Sequence, residues 1–150
     1  IHMFEADKKD IEILRELCND SRRSYRKIAR NLGMATSTVI NRVNSMAKEG
    51  HIKSSTLSLD YEKLGYPLTA LIEVRASKSK QLQIGSEISK IRNVHGVYNI
   101  TGESDLVVIA RFRNREDLSN IVKSIGALEF VERTNTHLVL NVLKDEHNIL

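Results

Sequence analysis

With one cysteine, one proline, seven glycines and no tryptophan in 150 residues, the chain has little of the chemistry by which small proteins replace a hydrophobic core. Cys18 alone can close no intramolecular disulfide and build no Cys-based metal cage. A lone thiol suits a reducing interior, so the expected location is the cytoplasm. Apolar runs extend only a few residues, against the roughly 20 needed to cross a bilayer, and no charged-then-apolar segment opens the chain. Neither a membrane span nor a secretion signal is expected. The four tyrosines and three phenylalanines form no paired stacking motif on a strand, which disfavours RNA binding. What is present, 41% hydrophobic and 28% charged residues, is the composition of a soluble globular protein of one ordinary domain or two small ones. Ile1, His2 and Met3 read in part as a cloning junction and are set aside.

The net charge of +4 is unevenly placed. Residues 1–55 hold 11 Lys or Arg against 7 Asp or Glu, whereas residues 56–150 hold 12 of each. Within 21–59, Arg22, Arg23, Arg26, Lys27, Arg30, Arg42, Lys48 and Lys53 face only Glu49. That is the electrostatic footprint of a protein that meets a polyanion, and periodicity separates it from a merely solvated basic face.

Asp7 is a good N-cap for a first helix over about 7–18, in which Ile11, Leu14, Leu17 and Cys18 share a face. Ser24 can cap a second, short helix with Tyr25, Ile28, Ala29 and Leu32 on one side, and Gly33 follows where a left-handed residue is needed. A third helix is expected from about Thr36 to Lys48, with Val39, Val43, Met46 and Ala47 inward. A small residue at Ala29 lets two helices touch, Gly33 takes the sharp turn and Val39 locks the next helix down, so the three together predict a helix-turn-helix. In that geometry Thr36, Ser37, Thr38, Asn41 and Arg42 enter the major groove. Asn41 and Arg42 are the candidates for adenine and guanine contacts, and Arg22, Arg23, Arg26, Lys27 and Lys53 those for phosphates. Residues 51–59 alternate in part, as a wing or linker strand would.

From Leu68 the period changes to two, with Leu68, Ala70, Ile72, Val74 and Ala76 on one face and Thr69, Glu73 and Arg75 on the other. A helical face (Leu82, Ile84, Ile88, Ile91), a strand over 94–101, a hairpin at Gly102, a strand through Leu106, Val108, Ala110 and Phe112, a second helical face (Leu118, Ile121, Val122, Ile125) and a strand over 131–143 complete the order βαββαβ. The fold class is α+β: an N-terminal winged helix-turn-helix over 1–53, a linker strand or hinge over 54–66, and a ferredoxin-like domain over 67–150. Leu71, Val107, Ile109, Val139 and Leu143 fall on the sheet face away from the helices, which predicts that a second copy covers it.

The set Asp7 with Ile11-x-x-Leu14, Ile28-Ala29-Arg30-Asn31-Leu32-Gly33, Ser37-Thr38-Val39, Arg42-Val43, Gly50-x-Ile52, Leu64-Gly65-Tyr66, Thr101-Gly102-x-x-Asp105 and Thr134-Asn135-Thr136 closely resembles the Lrp/AsnC (feast/famine) transcription regulators from Asp7 to Lys144. The resemblance implies a sequence-specific regulator of double-stranded DNA that forms homodimers and higher assemblies, often octamers, and binds an amino acid or related small metabolite. It places the effector in two loops, one with Tyr98, Asn99, Gly102, Glu103, Ser104 and Asp105, the other with Thr134, Asn135 and Thr136. There Gly102 can expose backbone N–H groups to an α-carboxylate and Asp105 can hold an α-ammonium; the competing reading is that Gly102 only makes the hairpin turn and Asp105 only caps it. One departure is Ala35 at the expected N-cap of the third helix, where serine is frequent in the family.

Siroheme decarboxylases resemble the same two-domain fold, with histidines near the C-terminal sheet. His51, His95 and His137 are the candidates here, but no two stand at a ligand spacing, and no nucleophile, phosphate loop or carboxylate pair lies beside them. No catalytic residue, metal or other cofactor is expected.

Overall fold

The computed structural model describes residues 6–77, 79–146 and 148–150; Ile1, His2 and Met3 lie outside the described residues. Among those described, the elements run α1 (Lys8–Asn19), α2 (Tyr25–Leu32), α3 (Thr36–Lys48), β1 (Leu68–Ala76), α4 (Gln81–Ile88), β2 (Val94–Asn99), β3 (Leu106–Phe112), α5 (Arg115–Gly126) and β4 (Val131–Leu138). None of these helices is long and apolar enough to cross a membrane. The chain divides into two compact units, one of residues up to Ser58 together with Lys144–Leu150, the other Leu59–Leu143.

In the first unit Asp7 Oδ1 accepts from the Asp10 N–H at 2.9 Å and Asp10 Oδ2 accepts from the Asp7 N–H at 3.0 Å, a reciprocal capping box that starts α1. Ser24 Oγ accepts from the Lys27 N–H at the start of α2, and Gly33 at φ 63° ends it. At the start of α3, Ala35 takes an extended N-cap conformation and offers no side-chain acceptor. Ala35→Ser is therefore expected to stabilise this unit by about 1 kcal/mol, read as a higher urea midpoint at unchanged slope. Ile13, Ile28, Val39 and Met46 are fully buried between the three helices, with Ala29 and Val43 closing the core. The expected wing strand is not formed: residues 53–60 carry no strand and are exposed. An extended segment becomes a strand only beside a neighbour that takes its backbone hydrogen bonds, and no ladder of the described residues includes this segment.

In the second unit four antiparallel strands form one sheet in the order β2-β3-β1-β4, the ferredoxin-like arrangement. Ala70, Ile72, Val74, Leu106, Val108, Ala110 and Phe112 pack with Ile84 and Ile88 of α4 and Ile125 of α5 on one face. The strand expected over 94–101 ends at Asn99, because Ile100 donates to the Asp105 carbonyl at 2.9 Å and closes the hairpin loop. The last strand ends at Leu138 rather than 143: Leu138 pairs with Ala70, Val139 donates to the Thr69 carbonyl, and Pro67, without an N–H, lies just beyond the start of β1. Leu140, Val142 and Leu143 are consequently exposed and off the sheet.

The segment expected as a linker over 54–66 is split by the unit boundary. Its second half is tied to the sheet, with the Arg111 guanidinium 4.7 Å from the Tyr61 ring centre, that of Arg113 5.1 Å from Tyr66, and Arg113 Nη2 donating to the Tyr66 hydroxyl at 3.1 Å. Lys144–Leu150, expected with the second domain, groups with the first unit.

Candidate nucleic-acid interface and ligand cavity

The turn between α2 and α3 follows from three residues. Ala29 is buried against the next helix, Gly33 supplies the left-handed turn, and the Met34 N–H returns to the Ala29 carbonyl at 2.8 Å, which leads the chain into α3 with Val39 fully buried. Burial of Val39, Val43 and Met46 fixes which side of α3 faces outward. Ser37, Thr38, Asn41, Ser45 and Lys48 are exposed there and Thr36 is half-buried. Asn44, which the sequence reading passed over, is exposed one turn along from Asn41; its spacing was the signal that could have found it.

Two arginines expected at DNA are engaged within the protein. Arg42 Nη1 donates at 2.8 Å both to Asp7 Oδ2 and to Asp10 Oδ1, and Asp10 is only 1% exposed. Arg42 thus fastens α3 to the capped start of α1. Arg23 Nη1, in the turn before α2, donates at 2.6 Å to Glu16 Oε2, the oxygen that also accepts from Asn31 Nδ2 of α2 at 2.7 Å, so Glu16 of α1 gathers both. Arg22, Arg26, Lys27, Arg30 and Lys53 are exposed; the Arg22 backbone N–H donates to Asp20 Oδ1 at 3.1 Å and its Nε lies 3.4 Å from the same oxygen.

These ion pairs set an acid limit. The Asp10 N–H first and the Arg42 guanidinium second hold the Asp7 carboxyl below the usual carboxylate range, and the Asn31 amide followed by Arg23 does the same for Glu16. Carboxyls depressed on folding stabilise the fold fully above their unfolded pKa values and lose that contribution as the pH falls through the folded ones. Stability of the first unit is expected to hold from neutrality to about pH 4.5 and to decline below it. Thermal melts followed by circular dichroism across the acid range check this; a decline already complete above that pH contradicts it.

In the second unit a cavity of about 90 Å³ opens on the sheet face opposite the helices. It is lined by Glu73 and Arg75 of β1, Glu103 and Ser104 of the β2–β3 hairpin, and Arg133 and Asn135 of β4. The structure therefore brings together Glu103, Ser104 and Asn135 from the two stretches expected at the effector and adds Glu73, Arg75 and Arg133. The sequence alternation put Glu73 and Arg75 on this face but gave no reason to single them out. Asn135 Nδ2 donates to Glu73 Oε2 at 3.3 Å and lies 3.0 Å from His137 Nε2.

Other expected effector residues stand elsewhere. Thr134 and Thr136 belong to β4 rather than a loop, and pairing with Val74 and Ile72 turns them toward the helix-covered face. Asn99, opposite Leu106, takes that face too. Tyr98 lies on the open face over Gly96, where a Cβ would come within 2.8 Å of the ring, so any side chain there would push the exposed ring aside. Gly102, at φ 124°, makes the hairpin turn. Asp105 braces the hairpin against β1: its Oδ2 accepts from the Ala76 N–H at 2.8 Å and its own N–H donates to the Val74 carbonyl at 3.0 Å.

His51 follows α3, His95 is in β2 and His137 in β4. Among the described residues no group of three His, Cys, Asp or Glu side chains could hold a metal ion.

A buried helix-turn-helix with an outward polar and basic face, followed by an α+β unit with its own cavity, defines a DNA-binding regulator of two-unit design. Residues 7–47 match the AsnC-type helix-turn-helix domain and residues 69–149 the Lrp/AsnC ligand binding domain. The chain belongs to the Lrp/AsnC family of transcriptional regulators. It is 43% identical over 146 residues to an uncharacterised HTH-type transcriptional regulator of Pyrococcus horikoshii, covering 97% of this chain and 99% of the relative. It is 37% identical over 145 residues to the regulator FL11 of the same organism, covering 97% and 94%. Among solved structures, LrpC of Bacillus subtilis superposes with a TM-score of 0.84 at 25% identity, covering 94% of this chain and 99% of that one. A Neisseria meningitidis regulator in complex with L-Met shares the fold, with a TM-score of 0.88 at 23% identity and 95% coverage of both chains.

Proposed function

We propose that this regulator reads a specific duplex DNA sequence through α3 as a homodimer, assembles further to an octamer, and answers to an amino acid or related small metabolite bound by its C-terminal unit. The observation that carries the reading is the outward face of α3, polar, exposed and backed by a fully buried core. Ser37, Thr38 and Asn41 of that face read base edges, Asn44 extends their reach, and Arg22, Arg26, Lys27, Arg30 and Lys53 hold phosphates. Asn41 has the donor and acceptor pair that suits adenine. Asn41→Ala is expected to cost about 1 to 3 kcal/mol at one base position and to relax the preference there, measured by competition among duplexes substituted at each position. A uniform loss on every duplex would remove Asn41 from the readers.

Dimer formation rests on the open sheet face, where Leu71 and Tyr98 remain 36% and 54% exposed beside Val107 and Ile109. A second copy set against the same patch covers both. The effector reading rests on the cavity on that face and on the family membership; the regulator of Neisseria meningitidis held with L-Met supports an amino acid. A thermal-shift screen of the twenty amino acids followed by light scattering tests it: one hit that raises the midpoint and changes the assembly is expected, and no hit contradicts the sensor.

A further inference from the structure

At the end of the second unit away from the β2–β3 hairpin lies a larger cavity, of about 400 Å³. It opens between Arg92 and Asn93 ahead of β2, Arg113 just past β3, the first turns of α5 and Tyr66 ahead of β1, and no residue lining it belongs to a strand. It is therefore separate from the open sheet face. Its size falls within the range of small-ligand sites, about 300 to 1,000 Å³. The polar groups around it are held by the fold and keep bonding capacity unused. Arg113 is fixed twice by one residue: its guanidinium lies 5.1 Å from the Tyr66 ring centre, and its Nη2 donates to the Tyr66 hydroxyl at 3.1 Å. Asn93 is fixed through Nδ2, which donates to the Arg111 carbonyl at 2.7 Å and to Asp117 Oδ2 at 3.2 Å, so its Oδ1 is oriented and without a donor among the described residues. Arg92, Glu116 and Asn120 are exposed and make no hydrogen bond or ion pair among those residues. The start of α5 is not the attraction, because it is already closed: Asn114 Oδ1 accepts from the Asp117 N–H at 2.8 Å, and Asp117 Oδ2 accepts from the Arg113 N–H at 3.2 Å. What remains is a free guanidinium, an anchored guanidinium plane, a free carboxylate and two carboxamides around one space.

We infer that this cavity binds a nucleoside monophosphate. Arg92 takes the phosphate, whose oxygens match the guanidinium fork, and the Glu116 carboxylate accepts from the ribose hydroxyls. The Arg113 guanidinium, held against Tyr66, presents a plane on which the base stacks. Asn93 Oδ1 and the Asn120 carboxamide meet the base edge, where a paired donor and acceptor are needed. Each simpler ligand leaves part of this set idle. Inorganic phosphate uses Arg92 alone, a sugar phosphate leaves the stacking plane and the carboxamides empty, and a neutral nucleoside leaves Arg92 without its anion. A polyanionic duplex gains from the two arginines but is repelled by Glu116 beside them. The site shares no residue with the cavity on the sheet face, so it stands or falls apart from the amino-acid effector reading.

The test is calorimetric titration of the full-length protein, free of DNA, with AMP, GMP, CMP and UMP, then with the parent nucleoside of the best binder and with ribose 5-phosphate. The best binder is also titrated into Arg92→Gln, Arg113→Lys and Glu116→Gln. At least one mononucleotide is expected to bind, and both fragments to bind about tenfold more weakly or worse. Each variant is expected to weaken the mononucleotide about tenfold. Arg113→Lys keeps the charge and removes the plane, so its loss reads the stacking. Arg92 and Glu116 are exposed, so the melting points of their variants without ligand are expected to equal that of the wild type. Failure of all four mononucleotides overturns the assignment. Unaltered binding in Arg92→Gln and Glu116→Gln overturns it too, because the nucleotide then sits elsewhere on the protein. Duplex binding by Arg92→Gln across a salt series is expected to keep the wild-type slope; a slope reduced by about one for each protomer gives Arg92 to the DNA backbone and overturns its place at the nucleotide.

Discussion

Arg42→Ala is expected to destabilise the N-terminal unit by about 3 kcal/mol and to weaken binding to every duplex by the same factor. The reason is the position of Asp10, which is 1% exposed and, among the described residues, has Arg42 Nη1 as its only ion-pair partner. Removing the guanidinium leaves a buried carboxylate whose remaining bond is to the Asp7 N–H. Breaking a buried pair from one side costs more than the pair is worth, and the partial exposure of Arg42, at 28%, places the loss at the low end of the usual range. Without that tie α3 is no longer held against the start of α1, so specific and random DNA lose affinity together. Asp10→Asn combined with Arg42→Ala is expected to cost less than the two single changes added, because the double variant leaves no buried charge alone. Urea unfolding and a two-duplex binding assay decide the matter. Unchanged stability with a loss confined to one base position would return Arg42 to the readers.

Leu71→Glu carries the other large effect, on assembly. Leu71 sits at the centre of the open face, opposite Ile109 of β3 and His137 of β4, and remains 36% exposed in the single chain. A glutamate there is solvated in the monomer, so folding is expected to survive. In a symmetric dimer the substitution enters twice, and each carboxylate must be desolvated against an apolar partner at a cost of a few kcal/mol. The dimer dissociation constant is expected to rise about a thousandfold, leaving monomers at micromolar concentration by sedimentation velocity. Affinity for a palindromic duplex falls with it, since two half-sites are no longer bound by one particle. A variant that sediments as the wild type does would show that this face is not the dimer surface.

The elements legible in the sequence were those whose cause is local. Asp7, Ser24 and Gly33 mark helix ends through their own backbone chemistry, and the period of two through Leu68, Ala70, Ile72, Val74 and Ala76 names the buried face of β1 without knowledge of its neighbours. What stayed hidden depends on pairing across the chain. The partners of Arg42 lie 32 and 35 residues away, so nothing in its sequence context on a basic face announced its ion pairs with Asp7 and Asp10. The end of β4 depends on where β1 begins and on Pro67, and alternation alone ran the strand on to 143. The juxtaposition of Arg75 and Arg133 exists only in the ladder register. Thr134 and Thr136 were placed by family resemblance in a loop at the effector, and their register turns them to the opposite side of the sheet.

The most direct test of the central claim is selection of duplexes from a random pool by the wild-type protein, followed by affinity measurements for the enriched sequence and its shuffled version at several salt concentrations. The account predicts enrichment of a site with two related halves about one helical turn apart. It also predicts affinity at least about a thousandfold above the shuffled duplex at physiological salt, with both affinities falling as salt is raised. No enrichment, with equal affinities that vanish together as salt is raised, would make the basic face of this protein a non-specific polyanion surface and contradict the assignment of α3 as its reading element.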